Sequence, residues 1–184
     1  MLAKFFVCVA LVSMATAWKW GGCPKYTVME NFDVVRYLGN WHEAARLESI
    51  PFESGDCVYA QYTPIDDTYI EVKNTEIQPD GKINQAIGKA YEKGNAYLKV
   101  SFFWPFYGDY KVLDTDYTDY SVVYSCSDWW IAHEEFAWIL SRDRGYSAAN
   151  SDELALLESI GVSESEMILH NLSECPRDAP VPEE

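Results

Sequence analysis

Basic side chains are scarce in this chain of 184 residues: 14 Lys and Arg face 29 Asp and Glu, a net charge of −15 with histidine neutral. Such a surface repels nucleic acid and anionic lipid headgroups, which argues against both as partners. Histidine is scarcer still, with only His42, His133 and His170, too few and too scattered for a metal cluster. His133-Glu134-Glu135-Phe136-Ala137 opens like a zinc-binding His-Glu-x-x-His but has Ala137 where the second histidine is required. A lone histidine serves ordinary structure more often than haem ligation. Cys-x-x-Cys, Gly-x-Ser-x-Gly, a glycine-rich phosphate loop and a dinucleotide fingerprint are all missing. The expectation is therefore no catalytic residue, no metal and no cofactor.

Beyond the N-terminus no stretch approaches the ~20 consecutive apolar residues of a membrane helix. The apolar run near the start, Phe5 to Val12, follows Lys4 and leads to Ala15-Thr16-Ala17. That is the pattern of a secretory signal, so residues 1–17 are expected to be cleaved and the mature chain to be secreted and extracellular. Cleavage removes Cys8 and leaves Cys23, Cys57, Cys126 and Cys175. An even count in an exported chain reads as two disulfides, with three possible connectivities. Residues 18–175 are expected to form one domain, and 176–184, rich in proline and acidic side chains, a disordered tail. Asn171-Leu172-Ser173 is an N-glycosylation sequon, making Asn171 a candidate glycan acceptor.

What the chain does have is short alternating strands and many aromatic rings. Tyr69-Ile70-Glu71-Val72-Lys73-Asn74 alternates apolar and polar, as a half-buried strand should. Cys57 to Thr63 forms another strand, bounded by Ser54-Gly55-Asp56 and Pro64. Gln78-Pro79-Asp80-Gly81 is a hairpin turn, proline presetting φ and glycine supplying φ > 0. Further strands are expected near 85–91, 97–104, 108–113, 121–126 and 136–142. With the strand at Trp41 these make about eight, the spacing of an antiparallel sandwich or barrel. Gly39-Asn40-Trp41 lets the chain turn sharply into its first strand and brings a large ring that can plug a barrel end, with an arginine from a distant strand on its face. The pattern changes once, at Ser151-Asp152-Glu153, which reads as an N-cap and an acidic first turn. Leu154, Leu157 and Ile160 follow at helical spacing before Gly161, so one helix is expected outside the all-β body.

Three separated segments then carry a family resemblance. Tyr37-Leu38-Gly39-Asn40-Trp41-His42-Glu43 resembles the first lipocalin motif, Leu113-Asp114-Thr115-Asp116-Tyr117 the second, and Phe136-Ala137-Trp138-Ile139-Leu140-Ser141-Arg142 the third. Within the lipocalins the chain is similar to the apolipoprotein D group, and Lys99 to Tyr110 also to its bacterial outer-membrane relatives. The resemblance implies an all-β, eight-stranded antiparallel up-and-down barrel with one C-terminal helix packed outside. It also implies Gly39, Trp41, Thr115, Asp116, Tyr117 and Arg142 as barrel-closing residues, and the pairings Cys23–Cys126 and Cys57–Cys175. His42 departs from the usual aromatic and, lying opposite Trp41, is expected to be a tolerated outer-face change. A barrel of eight strands is wide enough to hold one small ligand.

If Trp41 points inward, period-two alternation sends Glu43, Ala45 and Leu47 the same way. The same argument groups Tyr62 with Ala60 and Val58, Asn74 with Val72 and Ile70, and Trp138 with Phe136 and Leu140. Small residues such as Ala45 and Ala60 among rings favour a cavity. The candidate ligand-binding residues are Tyr62, Asn74, Trp138, Leu140, Ala60 and Val72. Aromatic walls with a few polar groups suit an apolar molecule with one oxygenated end, such as a fatty acid, lysolipid, sterol or retinoid. A bilin or carotenoid chromophore is the alternative occupant, and a cavity enzyme, which would need a free thiol, is a lesser one. Asp114 and Asp116 read better as hydrogen-bond partners at the barrel end than as an acid–base pair. Phe102, Phe103, Trp104, Phe106 and Tyr107 form a dense apolar run that either docks on a membrane or protein partner or folds back over the barrel.

Overall fold

The computed structural model describes residues 18–176; the expected signal at 1–17 and all of the expected tail after Pro176 lie outside them. Eight consecutive strands run antiparallel, each paired with the next: β2 (Gly39–Leu47), β3 (Asp56–Pro64), β4 (Tyr69–Ile77), β5 (Ile83–Gly94), β6 (Tyr97–Phe103), β7 (Phe106–Thr115), β8 (Tyr120–Trp129) and β9 (Ala132–Ser141). β9 pairs back onto β2, from His42 opposite Ser141 to Arg46 opposite Trp138, so the sheet closes on itself. The connections are short because each is a hairpin between neighbours. At Gln78–Lys82 the Gly81 amide donates to the Gln78 carbonyl at 2.8 Å, and Gly81 takes φ 83°.

Two strands were not legible in the sequence. β1 (Trp18–Trp20) pairs with β9, and β10 (Met167–Leu169) with the end of β2. Each is three residues long, too short to show alternation. The helix α2 (Asp152–Ser159) begins as expected, with the Ser151 hydroxyl accepting from the Leu154 amide at 3.1 Å, and buries Leu154 and Leu157. A second, four-residue helix, α1 (Val34–Tyr37), precedes β2, capped by the Asp33 carboxylate accepting from Val35 and Arg36.

The barrel carries two apolar cores. An outer one joins α2 to the backs of β2, β8 and β9 through Leu154, Leu157, Val122, Tyr124, Ala137 and Ile139. An inner one fills the lower barrel with Tyr37, Trp41, Tyr62, Ile70, Leu98 and Val123. The alternation expected along β2 fails between these cores. A bulge between Glu43 and Ala45 inserts one residue, and one extra residue reverses every later side chain. Ala45 and Leu47 therefore pack in the outer core, and only Glu43 of that trio faces the interior with Trp41. His42 does point outward, but it is buried rather than freely variable. Its ring meets Tyr59 edge-on at 4.7 Å, and the Tyr59 hydroxyl donates to the Pro176 carbonyl. Burial, then the nearby Arg144 charge, hold His42 below its ordinary pKa.

The floor is built on Arg142. Its guanidinium lies 3.9 Å from the centroid of the fully buried Trp41 ring. It donates to the carbonyls of Arg36, Leu38, Asn40 and Tyr117 at 2.8–3.2 Å. Gly39, at φ 101°, is confined from the other side, because a Cβ there would stand 3.2 Å from Arg142 Nη1. Thr115 and Asp116 shape the β7–β8 turn that Arg142 grips. The Thr115 hydroxyl donates to the Tyr120 carbonyl and accepts from the Tyr117 amide, while Asp116 accepts from the amides of Thr118, Asp119 and Tyr120. Asp114 accepts from the Tyr120 hydroxyl. Both carboxylates are thus hydrogen-bond partners of the barrel end. The disulfides Cys23–Cys126 and Cys57–Cys175 tie the N-terminal segment to β8 and the C-terminal segment to β3.

Arg142→Ala is expected to lower unfolding free energy by about 3 kcal/mol, since it removes a cation–π contact and several charge-assisted hydrogen bonds together. Arg142→Lys should recover only a minority of that loss. Urea unfolding of the three proteins measures both.

Candidate functional site

Above the floor the barrel encloses a cavity of about 540 Å³. That lies within the range of about 300–1,000 Å³ over which small-molecule sites are found. Ala60, Val58, Val72, Val100, Phe136 and Leu140 give it an apolar wall. Tyr62, Asn74 and Trp138 stand in the same wall, so the structure brings all six candidate wall residues to one cavity. Period two explains it: Ala60, Asn74 and Ala86 are cross-strand neighbours on β3, β4 and β5, and small side chains on two of these strands leave the space.

The lower wall is polar in one place. The hydroxyls of Tyr62 and Tyr110 are 2.9 Å apart, those of Tyr110 and Tyr37 2.8 Å, and those of Tyr37 and Ser121 2.9 Å. Burial raises the Tyr37 phenol to about 12 and pushes Tyr62 and Tyr110 well above their usual value, so all three keep their protons at neutral pH. Four hydroxyls here share three bonds, which leaves one hydrogen to spare among them. Asn74 Oδ1, in the same cavity wall, is sealed from solvent and also has no partner. A buried polar group left unmet costs about 1–3 kcal/mol, so a spare hydrogen on Tyr62 or Tyr110, which line the cavity, favours an occupant with a polar group.

A second polar cluster was not found from the sequence. Glu53, on the β2–β3 loop, accepts from the Trp138 indole N–H at 2.8 Å. Burial, the Glu43 carboxylate beside it and their mutual hydrogen bond hold Glu53 well above the ordinary carboxyl range. Glu43 itself is paired with Arg46 at 2.7 Å, and His170 stands 3.2 Å from the same oxygen. Arg46 reaches that position because the bulge turns it inward; strict alternation hides the cluster.

The open end is aromatic. Phe103 is 76% exposed, Trp104 79%, Phe106 71% and Trp130 fully so, with Phe52, Phe102 and Trp129 about half exposed. These residues sit on or beside the β2–β3, β6–β7 and β8–β9 connections, all at the end opposite Trp41. Trp18 and Trp20 join them on β1, Trp18 lying 5.4 Å from Trp129. Within the run from Phe102 to Tyr107 the roles divide: Phe103 and Trp104 stand exposed, while Phe102, Phe106 and Tyr107 also line the cavity.

A protein-family model described as a lipocalin-like domain matches residues 32–160. The chain belongs to the lipocalin family. This lipocalin is 39% identical to apolipoprotein D of Mus musculus over 165 residues, 85% of each chain. It is 45% identical to the outer membrane lipoprotein Blc of Citrobacter freundii over 125 residues, 65% of this chain and 67% of that one. Among solved structures, H1 crustacyanin of the lobster Homarus americanus superposes with a TM-score of 0.70 at 25% identity, covering 83% of this chain and 89% of that one. Insecticyanin of Manduca sexta gives 0.69 at 22% identity, covering 85% and 89%. The closed eight-stranded barrel with a C-terminal helix outside agrees with this assignment. Both disulfides take the connectivity that the family resemblance implied. They occupy all four cysteines among the described residues, so a cavity thiol has no residue to carry it.

Glu53→Gln tests the carboxyl cluster. A carboxyl raised in the folded state holds a proton that the unfolded chain releases. Stability therefore falls as pH rises from the unfolded value, 4.5, and levels off above the folded one. The variant should show a shallower loss of stability than wild type as pH rises above 4.5, measured by urea unfolding.

Proposed function

We propose that this lipocalin is an exported carrier that holds one small hydrophobic molecule in its barrel, with an acyl-chain, sterol or retinoid body between Leu140, Val72 and Ala60 and an oxygenated end at Tyr62 and Asn74. The observation that carries the reading is the enclosed cavity itself, closed below by Trp41 and lined mostly by apolar atoms. Apolar burial at about 25 cal/mol per Å² supplies the affinity, because each hydrogen bond at the lower wall adds only about 1 kcal/mol net. The polar contacts therefore orient the ligand more than they hold it. Nothing in this role requires a reaction. Export is supported by the two disulfides, which persist in oxidising compartments. Asn171 is exposed and fits a glycan acceptor.

The exposed rings at the mouth fit loading from a neutral lipid surface, through Phe102, Phe103, Trp104 and Phe106, with the half-buried Tyr107 beside them, on one hairpin and Trp129 and Trp130 on another. A net charge of −15 favours zwitterionic over anionic bilayers.

Two measurements test these readings. Trp138→Ala should weaken binding of the neutral dye Nile red by about tenfold, equivalent to ~1.4 kcal/mol; an unchanged affinity counts against the wall assignment. Phe103→Ser with Trp104→Ser should reduce co-sedimentation with phosphatidylcholine vesicles while leaving Nile red affinity intact. Equal sedimentation of variant and wild type sinks the docking role.

A further inference from the structure

The charged residues of the cavity wall are all of one sign. Glu43, Glu53, Glu76, Asp109 and Glu134 line it, and no Lys, Arg or His does. Three of these carboxylates are already engaged. Asp109 is paired with Lys99 and Lys111, Glu43 with Arg46, and Glu76 accepts from the backbone amides of Ser54 and Gly55 and the side-chain amide of Asn84.

Two have capacity left. Glu134 is half-buried at the mouth end of β9, and its side chain has no hydrogen-bond or ion-pair partner among the described residues. Glu53 accepts from the Trp138 indole through Oε2 and, while protonated, shares a hydrogen bond with Glu43 that its ionisation vacates. On β9 Phe136 lies two residues after Glu134 and two before Trp138, so all three face the cavity in a row. The Phe136 ring has Phe52 edge-on at 5.3 Å and Trp138 at 6.1 Å. Aromatic faces between two carboxylates form a surface that attracts a cation from several sides and repels an anion.

We propose that this is a head-group site for an organic cation: the cavity prefers apolar molecules bearing an ammonium group, primary through quaternary, held on Phe136 and Trp138 between Glu53 and Glu134. The proposal rests on the carrier reading and narrows its ligand class, setting carboxylate-headed amphiphiles below ammonium-headed ones. The cation takes over the role of the proton on Glu53. The charged and titratable groups facing Glu53 are Glu43 and Arg46 of β2, Tyr62 of β3, and His170 beyond β10, bound to Arg46 and Glu43; Trp138 of β9 adds its N–H donor. Ammonium binding therefore releases a proton, and its affinity rises with pH until Glu53 ionises without a ligand.

The test uses three amphiphiles with one tail: dodecyltrimethylammonium, dodecanol and dodecanoate, each displacing Nile red from the disulfide-bonded protein below its micelle concentration. Dodecyltrimethylammonium should bind at least about tenfold more tightly than dodecanoate at pH 7.4. Glu53→Gln with Glu134→Gln should reduce that ratio to below about threefold, an unaltered far-ultraviolet circular dichroism spectrum showing the variant to be folded. The double substitution changes the net charge of −15 only slightly, so general attraction of a cation to an acidic surface would survive it. Glu134→Gln alone should give an intermediate ratio. Equal binding of all three, tighter binding of dodecanoate, or a preference that persists in the double variant overturns the cation site and leaves the carrier reading standing. Failure of all three to displace the dye overturns the carrier reading itself.

Discussion

One guanidinium decides whether this barrel is a cup or a tube. Arg142 lies on the Trp41 ring and collects carbonyls from the approach to β2 and from the β7–β8 turn. These segments are distant in sequence and have no β-pairing to hold them together at that end. The carbonyls would otherwise meet an apolar ring or be left unmet, so the side chain satisfies polar backbone and covers the plug at once. Gly39 is forced by the same contact: its backbone takes a positive φ, and a Cβ would press on the arginine. Everything above the floor, including the cavity, presupposes this closure.

The bulge in β2 is the second constraint, and it joins fold to chemistry. Before it, Trp41 and Glu43 face inward. After it, Ala45 and Leu47 pack in the outer core. One strand thus serves both cores. The inversion also delivers Arg46 to Glu43 beside Glu53, which places a carboxyl cluster under the mouth of an otherwise apolar cavity.

Most of the architecture was legible in the sequence because it depends on local signals. Period-two alternation marked all eight barrel strands, Ser151 the helix start, and Pro79 with Gly81 a hairpin. Where alternation held, as at Ala60 and Tyr62 or Phe136 and Trp138, it also placed side chains on the cavity wall. What failed to show was whatever depends on the chain meeting itself. A bulge leaves no mark in a run such as Trp41-His42-Glu43-Ala44-Ala45-Arg46-Leu47, so Ala45 was assigned to the wrong face. Glu53 sits in a loop and acquires its character only from Trp138, Glu43 and Arg46, which arrive from two other strands. His42 looked free because the segment that buries it, ending at Pro176, lies more than a hundred residues away. The family motifs recovered part of this, since they encode the Trp41–Arg142 contact and the cysteine pairing that composition alone left open.

The tyrosine chain in the lower cavity has a property that none of its members has alone. Tyr62, Tyr110, Tyr37 and Ser121 hold four hydroxyls with three bonds among them, and every bond can be donated from either side. Run one way, the spare hydrogen lies at Tyr62 and offers itself to a carbonyl. Run the other way, Tyr62 donates downward and turns a lone pair toward a hydroxyl. The lower cavity is thus a reversible dipole, able to greet a ketone or an alcohol by rotating hydrogens while every heavy atom stays in place.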